Sequence, residues 1–149
     1  MEIRALSESD LPQLVDLFDQ YRVFYQQPSD RAAVKAFVSQ RLARGDSAFL
    51  GAVVHDVLVG FTQLYPSYTS VGLGRIWILN DLYVSADARA RGVGAALMQA
   101  AREYGEMTGA RSMTLATATD NHKAQRLYEK LGWLRDQEYY QYELSLTQT

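Results

Sequence analysis

Apolar residues recur every three or four positions in four stretches of the chain, which is the spacing of an amphipathic helix. Glycine follows three of these stretches, where it favours a helix end, and Ser9 is placed to cap the first one. We therefore predict four helices: Ser9 to Tyr25, a segment between Asp30 and Gly45, Gly92 to Thr108, and Asn121 to Leu131.

Between these stretches the pattern changes to short runs that are rich in β-branched and aromatic residues. His55-Asp56 separates two such runs by the length of a hairpin turn, and Pro66 to Gly74 is predicted to be a loop. We predict strands at Glu2 to Leu6, Ala48 to Val54, Val57 to Tyr65, Arg75 to Val84, Arg111 to Thr117 and Tyr139 to Leu146. Hairpins combined with a crossover helix indicate a mixed α/β fold.

The composition is that of an ordinary globular protein, and 149 residues is the size of one domain, so we predict a single domain over 1–149. Fifteen basic and 17 acidic residues give a net charge of −2, which argues against a nucleic-acid partner and a polybasic membrane anchor. The longest apolar stretch, Ala48 to Val54, is too short to cross a bilayer. The first residues, Met1 to Arg4, lack the apolar region of a signal peptide, so we expect none. With no cysteine and two histidines, we expect no metal site and a cytoplasmic location.

A glycine-containing turn joins the strand that ends at Val84 to the following helix, which opens at Gly92 and Gly94. Free amides at a helix start bind anions, and glycine lets a ligand approach the backbone closely. Arg89 and Arg91 lie at this end of the helix, where cations are normally disfavoured and a phosphate ligand would be favourable. The alternative is a tight turn without a ligand, in which Asp87 offsets part of the charge. P-loop and dinucleotide signatures do not match.

The pattern Arg89-x-x-Gly92-x-Gly94 after Asp81-Leu82-Tyr83-Val84 resembles the acetyl-CoA signature of the GCN5-related N-acetyltransferase (GNAT) superfamily. The segment from Asn121 to Trp133 is similar to the second motif of that superfamily, and the order of elements agrees over nearly the whole chain. The resemblance implies a GNAT-like acyl-CoA N-acyltransferase fold. We then expect a central, mostly antiparallel sheet of about seven strands flanked by four helices.

The resemblance also implies a binding site for acetyl-CoA, the cosubstrate. The turn amides would hold the pyrophosphate, and the backbone of Leu82 and Val84 would pair with the pantetheine arm like an added strand. The implied cofactor-binding residues are Leu82, Tyr83, Val84, Arg89, Ala90, Arg91, Gly92, Val93, Gly94, Ala95, Asn121, Ala124 and Tyr128.

Two residues are candidates for proton transfer. The resemblance implies that Tyr128 is the general acid for the departing thiolate; the alternatives are a packing role for Tyr128 and a capping role for Asn121. Relatives of the polyamine type often have glutamate where this chain has Asn80, so the neighbouring Asp81 is the remaining carboxylate. Asp81 is either the general base or a structural carboxylate, and a water chain or direct delivery of a neutral amine would also serve.

The acceptor is expected to be a primary amine, either a small di- or polyamine or a lysine-type side chain, because the chain most resembles the diamine, polyamine and histone-type subgroup. Regular alternation places Arg75, Trp77, Leu79, Asp81 and Tyr83 on one face of their strand. The candidate substrate-binding residues are Tyr21, Tyr25, Trp77 and Asn80. A protein N-terminal acetyltransferase and a non-catalytic acyl-CoA sensor are the alternatives. We also expect a homodimer formed through Tyr139 to Leu146.

Overall fold

The structure, a computed structural model, describes residues 1–147 and divides into two compact units. The first unit comprises Met1–Ala116, and the second begins at Thr117. That the whole chain forms one domain stays a prediction.

The first unit contains one sheet with the strand order β1-β2-β3-β4-β5. Its first four strands pair antiparallel, and the last pairs parallel with β4. The described residues therefore contain five strands, and the expectation of about seven was wrong. Their bounds are β1 Glu2–Ala5, β2 Ala48–Val54, β3 Val57–Thr69, β4 Gly74–Val84 and β5 Ser112–Thr114.

All four predicted helices are present: α1 Leu11–Phe24, α2 Arg31–Arg44, α3 Val93–Met107 and α4 His122–Lys130. The predicted cap at Ser9 was wrong, because a short 3-10 turn at Glu8–Asp10 precedes α1 and the Asp10 carboxylate accepts from the Ser7 backbone N–H at 2.9 Å. Asp30 caps α2 by accepting from the Ala33 N–H at 3.1 Å. Periodicity and caps are local signals, which is why the sequence located these helices.

Two predicted strand boundaries were wrong. The hairpin ladder between β3 and β4 continues to the pair Thr69 and Gly74, so most of the predicted loop at Pro66 to Gly74 is strand. Cross-strand pairing therefore overrides the local turn signal of Pro66. The strand predicted at Arg111 to Thr117 is only the three residues of β5.

The strand predicted at Tyr139 to Leu146 is also absent from the described residues. Its alternating pattern matches a half-buried strand, but no strand lies beside it in the described part of the second unit. An unpaired strand has no ladder to satisfy its backbone groups. The large apolar side chains of this segment are instead exposed: Tyr139, Tyr140, Tyr142, Leu144 and Leu146.

Helices pack on both faces of the sheet in the first unit. Leu14, Phe18 and Val38 of α1 and α2 form one core with Phe61 of β3. On the other face, Val93 and Leu97 of α3 pack with Ala52, Leu82 and Val84. Gly60 lets α3 approach closely, since a Cβ there would lie 3.1 Å from the Val93 side chain. This contact fixes the start of α3 beside the end of β4.

Candidate active site

A β-bulge interrupts β4 at Asn80. Leu79 pairs with Leu64 and Asp81 pairs with Gln63, so Asn80 has no partner on β3. Directly paired residues share a face, whereas the neighbours Gln63 and Leu64 face opposite sides. Leu79 and Asp81 therefore also face opposite sides of the sheet.

The bulge changes which side chains of β4 share a face of the sheet, so the predicted faces need correction. Trp77 lies on the α3 side, where its ring contacts Tyr104 at a centroid distance of 5.2 Å and its Nε1 donates to Thr108 Oγ1 at 2.9 Å. Asp81 and Tyr83 lie on the α1 side and contact Tyr21. The prediction that placed Trp77 on one face with these two residues was wrong, so its assignment to the acceptor site lacks geometric support.

Asp81 is the centre of a buried polar network. Its carboxylate accepts hydrogen bonds from Tyr21 Oη at 2.8 Å, from Gln63 Nε2 at 2.8 Å, and from Asn80 Nδ2 at 3.1 and 3.2 Å. Ser47 Oγ donates in turn to Gln63 Oε1 at 2.8 Å. A carboxylate offers about four lone-pair positions, and these donors fill them. Because Asp81 is only 6% exposed, this arrangement favours the structural role over the role of general base.

Two tyrosines beside this network have raised pKa values. Burial raises the pKa of Tyr65 to about 12, and the negative charge of Asp81 adds to the shift. Burial also raises the pKa of Tyr21, followed by the charge of Asp81 and the hydrogen bond to it. Both phenols are therefore neutral at physiological pH, and the Tyr21 hydroxyl donates a hydrogen bond to the Asp81 carboxylate.

An aromatic cluster, defined here as Tyr21, Phe24, Tyr25 and Tyr83, joins α1 to β4. The Tyr21 ring lies 5.2 Å from Tyr25 and 5.8 Å from Tyr83, measured between ring centroids. Phe24 and Tyr25 are 56% and 53% exposed, although they are large and apolar. The cluster thus forms an open aromatic surface above the buried Asp81, and it contains the predicted substrate residues Tyr21 and Tyr25.

The end of β4 has a backbone edge that no strand of the first unit pairs with, although Val84 O accepts from Arg89 Nε at 3.1 Å. The Ser85 N–H donates to Val59 O of β3 at 2.8 Å, and alternation along an antiparallel strand then turns the backbone groups of Leu82 and Val84 to the opposite edge. On that edge β5 pairs only with Ile76–Ile78. A bulge bends the strand that carries it, which explains why the pairing between β4 and β5 ends near Asn80.

The start of α3 presents free amides directly after this edge. Gly92 is the N-cap, and its φ of 76° lies in the left-handed region that glycine tolerates. The first helical hydrogen bond across this cap runs from the Ala96 N–H to Gly92 O. In the described residues, the amides of Gly94 and Ala95 have no backbone acceptor, and the first turn of α3 has no acidic residue. This end of α3 therefore keeps its capacity to bind an anion.

Within the second unit, α4 carries the remaining candidates. The side-chain oxygen of Asn121 accepts from the Ala124 N–H at 3.3 Å, which is the capping role considered from the sequence. Tyr128 lies one helical turn beyond Ala124, with its ring 6.4 Å from that of Trp133. Asn121, Ala124 and Tyr128 share one side of the helix, as their spacing predicts.

Sequence reasoning missed Gln63, which is fully buried and binds Asp81. A signal was available, because Gln63 is a long polar residue between Phe61 and Leu64 in a mostly apolar run from Val57 to Tyr65. A polar side chain at such a position needs a buried partner.

A family model described as "Acetyltransferase (GNAT) family" matches residues 11–133 of the chain. This match spans both the glycine turn after β4 and the helix α4. The chain belongs to the GNAT acetyltransferase family. Enzymes of this family use acetyl-CoA, and the chain is an N-acetyltransferase. The match identifies the family and does not assign the chain to the diamine, polyamine or histone-type subgroup.

Similar proteins agree with the family. The chain is 42% identical over 146 residues to the uncharacterized N-acetyltransferase YhfO of Bacillus subtilis, and the match covers 98% of each chain. It is 26% identical to a thialysine N-epsilon-acetyltransferase of Bos taurus, over 87% of this chain and 82% of that protein. A crystal structure of a probable acetyltransferase is 38% identical and superposes with a TM-score of 0.95 over 100% of both chains.

Two features are absent from residues 1–147, a membrane-spanning helix and a cluster of metal-binding side chains. No helix among them is long and apolar enough to span a membrane. No group of three or more His, Asp or Glu side chains among them could hold a metal ion.

Proposed function

We propose that this enzyme transfers the acetyl group of acetyl-CoA to a primary amine by direct attack in a ternary complex. The observation that carries the proposal is the edge at Leu82 and Val84, which no strand of the first unit pairs with, followed directly by amides without a backbone acceptor at the start of α3. A ligand on this edge would displace the contact of Arg89 Nε with Val84 O. A pantetheine arm contains amide groups that can bind such an edge, and a pyrophosphate matches the helix start. One elongated ligand would thus occupy both features.

The turn from Ala90 to Ala95 would hold the pyrophosphate through its backbone amides. Ala90 and Gly92 both have positive φ values, 65° and 76°, so the turn adopts a shape that few sequences tolerate. A non-glycine residue with positive φ is uncommon and is found more often at ligand sites than elsewhere. The side chains of Arg91 and Val93 are not required for this contact, because the donors are main-chain groups.

The acceptor nitrogen must lose a proton before it attacks the thioester carbonyl. An alkylammonium has a pKa of roughly 10.4, so a base or a neutral amine is needed. Asp81 is buried and its acceptor positions are filled, so we assign it to holding Tyr21 and the bulge in place rather than to proton removal. The acceptor then either arrives as the neutral amine or loses its proton to water. Positioning in the ternary complex provides much of the rate.

Tyr128 is the proposed general acid for the departing thiolate. A phenol that donates to the sulfur makes the thiolate a better leaving group, and no covalent enzyme intermediate is required. Its place on one side of α4 with Asn121 and Ala124 supports this assignment. The relative named for acetylation of a thialysine ε-amine supports an amine acceptor.

A thiol-release assay with acetyl-CoA tests the proposal against small amines, amino acids and peptides with a free N-terminus. We expect release that depends on a small primary amine and binding of acetyl-CoA in calorimetry. Dephosphorylated pantetheine should bind much more weakly, because it lacks the group that the turn amides hold. Turnover with peptide N-termini alone would indicate the protein N-terminal class. Tight binding of acetyl-CoA without any turnover would indicate a sensor.

A further inference from the structure

Asn80, the residue of β4 that has no partner on β3, is the exposed member of the Asp81 network. Its Nδ2 lies 3.2 Å from Oδ1 and 3.1 Å from Oδ2 of the Asp81 carboxylate. The other two side chains that donate to this carboxylate, Tyr21 and Gln63, are half-buried and fully buried, respectively. A molecule that approaches the carboxylate from solvent therefore meets the Asn80 amide first.

The contacts with Asp81 also determine which end of the Asn80 amide is available. A carboxylate accepts hydrogen bonds and repels a carbonyl oxygen, so the amide NH2 group faces Asp81 and Asn80 Oδ1 faces away from it. Asn80 Oδ1 accepts no hydrogen bond from the residues that the structure describes. Asn80 and Tyr21 of the aromatic cluster both donate to the same oxygen of Asp81, so this free acceptor lies at the edge of the open aromatic surface.

Two carboxylates act on the phenol of Tyr65, a neighbour of this network on β3, and both are already bound. Asp81 accepts hydrogen bonds from three side chains. Asp46, in the turn after α2, forms an ion pair with Arg41 of α2, with 2.7 Å between Arg41 Nε and Asp46 Oδ1. An incoming ammonium ion would have to displace one of these partners before it could pass its proton to either carboxylate.

Phenols are the other titratable groups that contact this network. Burial raises the pKa of Tyr65 to about 12, and burial also raises that of Tyr21, so both keep their protons near neutral pH. The rings of Tyr25 and Tyr83 lie 5.2 and 5.8 Å from that of Tyr21, measured between centroids, and the guanidinium of Arg89 stacks on Tyr83. The aromatic cluster therefore adds hydroxyl groups and a cation to this surface, and no carboxylate.

A neutral amide oxygen can bind an amine, but it cannot remove a proton from an ammonium ion. Attack on the thioester needs the free electron pair of the nitrogen, so the rate depends on the fraction of the acceptor that is already neutral. At pH 7 this fraction is about one in eight for an α-amino group, with a pKa of about 7.7–8.0, and about one in 2,500 for a lysine-type amine, with a pKa of about 10.4. The two neutral fractions differ by about 300-fold.

We propose that Asn80 Oδ1 binds the acceptor nitrogen in its neutral form, so that the enzyme acts on weakly basic primary amines such as α-amino groups beside a carbonyl. This inference rests on the proposed function and specifies its substrate class. Asn80 is then a specificity-determining residue, and the strongly basic di- and polyamines expected from the resemblance are poor acceptors.

The transfer balances without a protein base. The electron pair of the nitrogen forms the bond to the acetyl carbon, the carbon–sulfur bond breaks, and the thiolate leaves with the bonding electrons. The proton that the nitrogen loses passes to water, and the thiolate takes a proton from the proposed general acid.

Acceptors of graded basicity test the proposal. Phenethylamine and its β-fluoro and β,β-difluoro derivatives have nearly the same shape but decreasing basicity, while alanine amide supplies an α-amino group and 1,4-diaminobutane a polyamine-type acceptor. We measure kcat/KM by thiol release from about pH 6 to about pH 10, and the pKa of each amine by titration. Below the pKa of each amine, kcat/KM should rise about tenfold per pH unit, and it should level off at that pKa. At pH 7 we expect a preference of roughly 10- to 100-fold for alanine amide over 1,4-diaminobutane, less than the ratio of neutral fractions because a less basic amine is also a weaker nucleophile.

Asn80→Glu and Asn80→Gln form a matched pair of variants that differs in the carboxylate and not in side-chain length. In Asn80→Glu, kcat/KM for phenethylamine at pH 7 should exceed that of Asn80→Gln by at least about tenfold, because the new carboxylate can act as a base beside the amine. Its profile should level off at a pH set by that carboxylate, whereas Asn80→Gln should keep the wild-type profile. The Kd of acetyl-CoA, measured by calorimetry, should agree within about twofold in all three proteins.

Three results would overturn the proposal: a wild-type profile that levels off at one pH for every amine, a wild type that prefers 1,4-diaminobutane, or identical profiles for Asn80→Glu and Asn80→Gln at equal stability in urea. The first result would mean that the protein supplies a base, and the acetyl-CoA site would be unaffected. Binding of acetyl-CoA without turnover of any of these amines would reject transfer to a primary amine. Failure to bind acetyl-CoA would instead reject the proposed function as a whole.

Discussion

The two ends of α3 offer a matched pair of glycines that tests the cofactor site. Gly92 precedes the helix with a φ of 76°, and Gly109 follows it with a φ of 72°. A Cβ added at either position would meet no atom within 4 Å, so alanine introduces backbone strain without a clash. Only Gly92 lies in the turn that we assign to the pyrophosphate.

The strain of the left-handed conformation determines the expected changes in stability and in the Kd of acetyl-CoA. The left-handed conformation costs a non-glycine residue about 1–2 kcal/mol, so Gly109→Ala should destabilise the fold by about that amount and Gly92→Ala, whose turn can relax, by less. In Gly92→Ala the free turn relaxes away from this conformation, and the cofactor must restore it on binding. That cost corresponds to a Kd that is about 5- to 30-fold weaker. Asparagine tolerates this conformation better, so Gly92→Asn should fall between alanine and the wild type.

Calorimetry with acetyl-CoA gives the Kd, and urea unfolding gives the stability of each variant. We expect Gly109→Ala to bind like the wild type, and Gly92→Ala to bind weakly while losing less stability. A Gly92→Ala variant that is less destabilised than Gly109→Ala and still binds acetyl-CoA within about twofold of the wild type would refute the reasoning. The amides of this turn would then not hold the cofactor.

Three further predictions concern Tyr128, Tyr65 and assembly. Tyr128→Phe should lower kcat by about 10²–10⁴ with little change in acetyl-CoA affinity or stability, and a folded variant with unchanged kcat would exclude the general acid. Burial raises the pKa of Tyr65 to about 12, so its contribution to stability is complete below pH 10 and is lost as the pH rises from about 10 to 12. Urea unfolding should therefore show a shallower alkaline decline in Tyr65→Phe, and parallel declines would contradict this assignment. Sedimentation at tens of micromolar, on the order of common assay conditions, should show a homodimer, because the segment 139–146 exposes large apolar side chains; a clean monomer would exclude it.

The sequence predicted much of the fold because its signals are local. Helical periodicity located all four helices, and glycines marked the ends of α2 and α3. The spacing of Arg89, Gly92 and Gly94 after a strand also identified the turn whose amides are free in the structure. These features depend on residues that are close together in the sequence, so the local pattern of residues is enough to predict them.

Tertiary structure alone decided which side chains meet. The bulge at Asn80 reverses the alternation of β4, and it depends on pairing with β3, which lies about 17 residues away in sequence. Because of this one unpaired residue, Trp77 contacts α3 on one face of the sheet and Asp81 binds Tyr21 on the other. The guanidinium of Arg89 likewise rests on Phe24 of α1, a contact that its place in the turn does not predict. The sequence thus determined the helices, most of the strands and the family. Long-range pairing and packing determined which side chains share a face of the sheet, because these contacts join residues that are far apart in sequence.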